Sequence, residues 1–365
     1  MTVWLPNLST RFNVWSIAVR MFLLIGLILS LSLPRQAQAS SPVLTAYPIP
    51  SAPFDVAVEN SNRVWFTLPA ANAIGSLEIL SVGTTVRYLY SAYQLPNPNS
   101  EPYRLALADG SVWFTQRQGN RIGRLEIADG SITEYDVPTP GSGPNGIDIA
   151  SDGRVWFVQS QSDQLAVLQP ADGTIQEFSL GRSGLGLELV DTTGSGIVWM
   201  TAPTANLLIS YRPAVGRFDY VGVRDPAGSP GALRGIAVTQ DGLPWASTKE
   251  IAKVGYYLFG TLAIWLLNRY IPDTADLVDI LLSTESGQTL LWGLDAAGRE
   301  VLAIDASTFR VVRRSGLGSL GSTLTALALD AETGTAWIAD AGSSTIYSWS
   351  PPYSIQAYLP VVSRQ

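Results

Sequence analysis

Seven tryptophans recur along this 365-residue chain at nearly constant intervals. Successive members lie 43 to 48 residues apart, and the series is Trp65, Trp113, Trp156, Trp199, Trp245, Trp292 and Trp337. A period of about 45 residues is the length that four short β-strands and their turns occupy in one blade of a β-propeller. The spacing therefore predicts an all-β fold, a seven-bladed β-propeller of four-stranded antiparallel blades.

The order of residues within a repeat supports four strands per blade. In the third repeat the alternating segment 146–149 is followed by an Asp152-Gly153 turn and then by the segment 154–157, which carries Trp156. An Asp-Gly pair between two such segments is a strong hairpin signal. Each tryptophan is expected to pack between neighbouring blades, because a large flat side chain fills the gap between two twisted sheets.

Both ends of the chain carry the pattern of a fourth strand. The segment 43–50 precedes the first tryptophan, so we expect it to pair with the last blade. The segment 354–360 near the C-terminus has the same pattern. The two ends therefore compete for one outer position in the ring.

Residues 1–39 have the features of an export signal. Arg11 and Arg20 precede a mainly apolar stretch of thirteen residues, 21–33, and the small residues Ala37 and Ala39 follow. We expect cleavage before residue 40, which leaves a single propeller domain over residues 40–365 that is secreted or periplasmic. An uncleaved anchor is the alternative, but thirteen residues fall short of the roughly 20 that a spanning helix needs.

Charge and composition narrow the possible functions. Without residues 1–39 the chain has 20 basic and 30 acidic residues, and an excess of negative charge repels a nucleic acid backbone. The chain contains neither histidine nor cysteine, which removes Ser-His-Asp and Cys-His catalysis and the zinc sites that depend on those residues. We expect a monomer whose partner is a small polar ligand or a protein, and not a nucleic acid.

The segment 122–157 resembles the streptogramin lyase (virginiamycin B lyase) family. The resemblance rests on Ile-Gly-Arg-Leu at 122–125, Ile-Thr-Glu-Tyr at 132–135, Val-Pro-Thr-Pro at 137–140, Gly-Pro-Asn-Gly-Ile at 143–147 and Asp-Gly-Arg-Val-Trp-Phe at 152–157. It implies a seven-bladed propeller that linearises a cyclic depsipeptide antibiotic by elimination. It also implies a magnesium ion, a catalytic histidine and nearby glutamates at the mouth of the central channel.

Two sets of positions correspond to the functional residues of that family. The histidine position follows the proline that opens a first strand, and its counterparts are Phe54, Tyr103, Asn145, Leu185, Arg234, Val278 and Thr325. The glutamate position lies three residues beyond each tryptophan, at Leu68, Gln116, Gln159, Ala202, Thr248, Asp295 and Asp340. The nearest match to the Glu-Pro-His triplet of the family is Glu101-Pro102-Tyr103, and a tyrosine pKa of about 10 would have to fall by several units for a base near neutral pH.

The resemblance places both sets at the channel mouth, which yields a group of candidate ligand-binding residues. They are Tyr103, Arg104, Gln116, Asn145, Gln159 and Arg234. Arg234 either clamps a carboxylate or sulfate, or pairs with an acid such as Asp279. Asp295 and Asp340 come from adjacent blades and either share a calcium or magnesium ion or form ordinary turns.

The leading functional hypothesis is a secreted, lyase-like propeller without the catalytic histidine and glutamates, which binds a small ligand or a protein. One alternative is a calcium- or magnesium-dependent propeller enzyme, such as a lactonase-like hydrolase or a divergent lyase. Oxygen ligands hold these ions, so the absence of histidine does not exclude such an enzyme. A structural surface protein is a further alternative.

Overall fold

A computed structural model describes much of the chain from residue 43 to residue 350. The described ranges are 43–82, 85–192, 196–223, 233–239, 242–248, 253–258, 261–263, 276–285, 287–308, 310–318 and 323–350. The expected export signal and the competing segment 354–360 lie outside these residues. In the described ranges there is no helix of the length and apolar character that a membrane crossing requires.

Alternating sequence patterns and tight turns produce a succession of short strands in these ranges. The strands are β1 (Val43–Pro48), β2 (Val56–Asn60), β3 (Arg63–Leu68), β4 (Ala73–Val82), β5 (Thr85–Gln94), β6 (Pro102–Ala108), β7 (Ser111–Gln116), β8 (Arg121–Glu126), β9 (Ile132–Asp136), β10 (Pro144–Ile149), β11 (Val155–Gln159), β12 (Gln164–Leu168), β13 (Ile175–Ser179), β14 (Val190–Thr192), β15 (Val198–Ala202), β16 (Leu207–Arg212), β17 (Arg217–Gly222), β18 (Leu233–Val238), β19 (Pro244–Thr248), β20 (Lys253–Leu258), β21 (Thr261–Ala263), β22 (Leu277–Glu285), β23 (Gln288–Asp295), β24 (Glu300–Asp305), β25 (Val311–Gly316), β26 (Leu324–Leu329), β27 (Ala336–Asp340) and β28 (Thr345–Ser350).

These strands pair into four-stranded antiparallel sheets, built from strands that follow one another along the chain except in the sheet that combines β1 with β26, β27 and β28. The strand orders are β2-β3-β4-β5, β6-β7-β8-β9, β10-β11-β12-β13, β14-β15-β16-β17, β18-β19-β20-β21, β22-β23-β24-β25 and β1-β28-β27-β26. The prediction of an all-β, propeller-like fold with four-stranded antiparallel blades is confirmed.

The first described strand joins the sheet formed by the end of the described chain. Strand β1 pairs with β28 in a continuous antiparallel register, from Val43 opposite Ser350 to Pro48 opposite Thr345. It therefore occupies the outer edge of that sheet, the position expected for the segment 43–50. This pairing brings together residues that lie about 300 positions apart in the sequence.

Each recurring tryptophan is at most 4% exposed and lies in a hydrophobic cluster that two successive sheets share. Trp65 belongs to the first of these sheets and packs in a cluster with Val112 and Phe114 of the next sheet. Trp337, on the last sheet, lies in a cluster with Val64 and Phe66 of the first sheet. The predicted role of the tryptophans in packing between blades is therefore confirmed.

A glycine opposite a buried phenylalanine sets the packing within the first two sheets. Gly123 lies directly opposite Phe114 in the ladder between β7 and β8, and Gly75 lies in the same way opposite Phe66. A Cβ atom at either glycine would overlap ring carbons of that phenylalanine. The missing side chain therefore makes room for a fully buried ring.

We expect Gly123→Ala to lower the free energy of unfolding by about 1–3 kcal/mol, because the added methyl group overpacks the Phe114 ring. Gly222→Ala is the matched control, since Gly222 ends strand β17 and a methyl group there would meet no heavy atom within 4 Å. Urea unfolding followed by tryptophan fluorescence measures both. Equal midpoints for the two variants would contradict this packing role.

Candidate functional site

The hydrogen bonds of the first strands show which residues are equivalent from sheet to sheet. In four sheets a backbone N–H near the start of the first strand donates to a hydroxyl group two residues beyond the tryptophan. These bonds run from Asp55 to Thr67, from Arg104 to Thr115, from Leu189 to Thr201 and from Gly235 to Ser247, at 2.8 to 3.1 Å. The residues just before these donors are therefore equivalent, and they are Phe54, Tyr103, Glu188 and Arg234.

This equivalence corrects the sequence alignment of the fourth repeat. The backbone N–H of Glu188 donates to the carbonyl of Thr201 at 3.0 Å, as that of Phe54 does to Thr67 at 3.1 Å. Leu185, which the alignment put in this position, is 3% exposed and packs in the hydrophobic core. No proline marks the start of the first strand in this repeat, and the alignment therefore placed that start too early. Counting eleven residues back from Trp199 finds Glu188, as the same count from Trp65 finds Phe54.

The register of the remaining sheets completes the set, which we call the inner ring. Asp148 pairs with Trp156, Asp279 with Leu294 and Ala326 with Ala339, and these pairs identify the ring residues of the third, sixth and seventh sheets. The inner ring consists of Phe54, Tyr103, Asn145, Glu188, Arg234, Val278 and Thr325. Its hydrogen-bonding and charged members, apart from Thr325, come from four consecutive sheets, so one arc of the ring is polar.

Tyr103 sits between an aromatic ring and a guanidinium group. Its ring stacks on Phe54 with centroids 4.0 Å apart, and the Arg117 guanidinium lies 4.0 Å from the Tyr103 centroid. Arg117 in turn donates through Nε to the Glu101 carboxylate at 2.9 Å. Burial raises the pKa of the Tyr103 phenol, against the lowering effect of the Arg117 and Arg104 charges. Tyr103 is therefore protonated near neutral pH, which makes it a hydrogen-bond donor and a poor proton acceptor.

Arg104 lies in a buried cluster with two aspartates one residue beyond the inner ring. Its Nη1 is 3.4 Å from Asp55 Oδ1, and Asp55 Oδ2 accepts the backbone N–H of Leu105 at 2.9 Å. Asp279 accepts the backbone N–H groups of Ile280 and Leu327, each at 2.9 Å. Burial raises the pKa of Asp279 to about 6, although the Arg104 charge opposes that rise. The charge of one arginine thus acts on two carboxylates, of which the sequence analysis named Asp279 only as a partner for Arg234 and did not single out Asp55.

Asn145 and Glu188 belong to strands whose backbones touch. The N–H of Gly146 donates to the carbonyl oxygen of Glu188 at 2.8 Å, and a Cβ atom on Gly146 would lie only 2.6 Å from that oxygen. Only glycine allows this approach. Asn145 is 7% exposed, and its Oδ1 has no hydrogen-bond partner among the described residues.

Arg234 has an acidic neighbour, but it is not Asp279. Its Nε lies 3.6 Å from Asp276 Oδ1, which is within ion-pair distance and beyond a hydrogen bond. Neither of these two atoms hydrogen bonds to any described residue. The pair is therefore loose, and Arg234 retains donors for another group.

The amides of Gln116 and Gln159 hydrogen bond inside their own sheets. Nε2 of Gln116 donates to Glu134 at 2.9 Å, and Nε2 of Gln159 donates to Glu177 at 2.8 Å. Both glutamines are fully buried, and both glutamates lie on fourth strands. These side chains therefore connect the second strand of a sheet to its outer strand.

Asp295 and Asp340 each cap the turn that follows them. Oδ1 of Asp295 accepts the N–H groups of Asp276, Ala297 and Gly298 at 2.9 to 3.0 Å. Asp340 accepts the N–H of Gly342 at 2.9 Å and the hydroxyl of Ser343 at 2.8 Å. The described residues contain no group of three or more acidic, His or Cys side chains arranged to hold a metal ion. The arrangement matches the turn alternative for both aspartates.

The model of the "Virginiamycin B lyase family" matches residues 38–256, well over half of the chain. This chain belongs to the virginiamycin B lyase family. Virginiamycin B lyase of Nocardia farcinica is 32% identical over 98 residues, which are 27% of this chain and 32% of the relative. The chain thus matches about a third of the length of that relative.

Solved structures of virginiamycin B lyase family members show the same fold. A streptogramin B lyase structure is 22% identical, with a TM-score of 0.71 and coverage of 85% of this chain and 98% of that chain. Selenomethionine-substituted virginiamycin B lyase from Staphylococcus aureus is 21% identical, with a TM-score of 0.70 and coverage of 85% and 99%. At this identity the likeness establishes the fold alone.

Protonation of Asp279 links the stability of this family member to pH. Its folded-state pKa of about 6 exceeds the value of about 3.9 for an unfolded chain, so the folded state binds the proton more tightly. The resulting stabilisation is fully present below about pH 4 and is lost as the pH rises through 6. We expect the stability of the wild type relative to Asp279→Asn to fall by about 1–3 kcal/mol between pH 4 and pH 7. Urea unfolding at several pH values tests this, and parallel curves would contradict it.

Proposed function

We propose that this chain closes into a seven-bladed propeller and acts as a binding module that does not cleave streptogramins. The first strands support the closure, because β2, β6, β10, β14, β18, β22 and β26 contact one another in turn and β26 contacts β2. The cluster that holds Trp337 against the first sheet supports it as well. The binding site in this proposal is the polar arc of the inner ring, Tyr103, Asn145, Glu188 and Arg234.

The proposed loss of lyase activity rests on the identity of the inner-ring residues. The chain has no histidine, and the ring position that follows Glu101-Pro102 holds Tyr103, whose phenol is partly buried beside two cationic groups. General base catalysis needs a group that accepts a proton near the working pH, and burial moves the pKa of this phenol in the opposite direction. The site therefore offers hydrogen bonds and charge without an imidazole base.

The composition of the arc favours binding of a small polar ligand. Tyr103 supplies a hydroxyl donor, Asn145 a buried acceptor, Glu188 a carboxylate and Arg234 guanidinium donors, from four consecutive sheets. A few convergent polar groups beside an aromatic surface are typical of a small-molecule site. The edges of the stacked Phe54 and Tyr103 rings provide that surface.

The activity test uses purified protein, magnesium chloride and a streptogramin B, with chromatography to separate the cyclic and linear forms. We expect the cyclic compound to stay intact, while virginiamycin B lyase from Staphylococcus aureus serves as the positive control. Linearisation would overturn the proposal. Linearisation that disappears in Glu188→Gln would instead support a divergent lyase with a carboxylate base.

We also propose that the protein acts outside the cytoplasm, on the basis of the charge and hydropathy pattern of residues 1–39. Expression in a bacterial host should release a protein whose mature N-terminus is Ser40. Intact mass and N-terminal peptide mapping of the extracellular and periplasmic fractions measure this. Recovery of the full-length chain from the cytoplasm alone would contradict it.

A further inference from the structure

Among the described residues around the inner ring, carboxylates outnumber guanidinium groups. Arg117 is paired with Glu101, Arg104 with Asp55 and Arg234 with Asp276. The Glu188 carboxylate makes no ion pair and accepts no hydrogen bond from any described residue. Together with Asp279, whose carboxylate is bonded to backbone N–H groups, it leaves an excess of negative charge around the ring, and Arg104 is the cation whose charge acts on both carboxylates.

A second, independent feature lies next to Glu188. Asn145 is more than nine-tenths buried, yet its Oδ1 has no partner among the described residues. A buried polar atom without a partner costs roughly 1–3 kcal/mol, so a bound group that donated a hydrogen bond to Asn145 Oδ1 would remove this cost. Gly146 brings the backbones of these two strands together, which places Asn145 and Glu188 at adjacent positions of the ring.

A ligand that donates hydrogen bonds and carries positive charge would complement both features. Glu188 and Asn145 Oδ1 are acceptors, and the neighbouring Tyr103 ring, which Phe54 and Arg117 cover, adds an aromatic edge. An anion would meet the carboxylate of Glu188 and the excess of acidic over basic groups around the ring. A calcium ion needs six to eight oxygen ligands, whereas this pair supplies few.

We propose that Glu188 and Asn145 bind the N–H donors of a small organic cation, an alkyl- or arylammonium ion. This inference rests on the proposed binding function of the inner ring and adds the chemical class of the ligand. The carboxylate of Glu188 supplies the charge, Oδ1 of Asn145 accepts one N–H, and the organic part lies beside the edges of the stacked Phe54 and Tyr103 rings.

Three probes of the same shape test the charge preference. Benzylammonium, benzyl alcohol and benzoate are titrated at 0.15 M salt, where long-range attraction by the negative protein surface is screened. Saturation-transfer NMR reports the bound aromatic protons and yields dissociation constants. We expect the dissociation constant of benzylammonium to be about one tenth of those of the other two probes, or lower. A hydrogen bond to a charged group contributes a free energy of that size.

Two variants with the same change of charge locate the site. Glu188→Gln keeps the shape of the side chain and should weaken benzylammonium binding about tenfold, with little effect on benzyl alcohol. Glu332→Gln removes an exposed carboxylate in the turn after β26 and should leave binding unchanged. Asn145→Leu should weaken benzylammonium binding as well, and thermal unfolding confirms that each variant is folded.

Three results would overturn the assignment: no binding of benzylammonium, tighter binding of benzoate, or equal losses in Glu188→Gln and Glu332→Gln. Tighter binding of benzoate would refute the cation assignment and leave the binding module intact. Cleavage of a streptogramin would refute the non-lytic function whatever the probes show. The probe titration and the streptogramin assay can therefore refute their two proposals independently.

Discussion

The packing of tryptophans between successive sheets is the interaction on which the rest of this structure depends. Every member of the series is almost fully buried in a cluster that its own sheet shares with the following one. An aromatic side chain buries about 150–250 Å² and dominates the energetics of such a contact. The hydrophobic core therefore lies between sheets, and Trp337 extends the same contact to the first sheet, where β1 also pairs with β28.

Polar side chains add a second set of connections near the inner ends of the sheets. The carboxylates of Asp55, Asp148, Asp191 and Asp279 each accept a backbone N–H from the first strand of the next sheet, at 2.7 to 3.0 Å. Burial raises the pKa of all four groups. Hydrophobic packing and these bonds therefore connect successive sheets.

The sequence predicted the strands and the role of the tryptophans, but it located the site only in part. In the fourth repeat the alignment followed the loop before the strand and reached Leu185, while the backbone bonds identify Glu188. Gln116 and Gln159 hydrogen bond to glutamates on the fourth strands of their own sheets, 18 residues further along the chain in each case. Local sequence patterns do not show which residue a glutamine side chain bonds, because that depends on how the fourth strand is aligned with the second strand.

By itself, the sequence determined the repeat, the four strands of each sheet and the absence of any imidazole group. These properties follow from local rules, since alternation and Asp-Gly turns act over a few residues and composition needs no structure. Only the tertiary structure decided that Glu188 and not Leu185 belongs to the inner ring, and which ring side chains have partners among the described residues. Tyr103, Asn145 and Glu188 come from different repeats, so strand register and backbone contacts such as that at Gly146 set their relation. The unpaired carboxylate of Glu188 is therefore a property of the assembled fold.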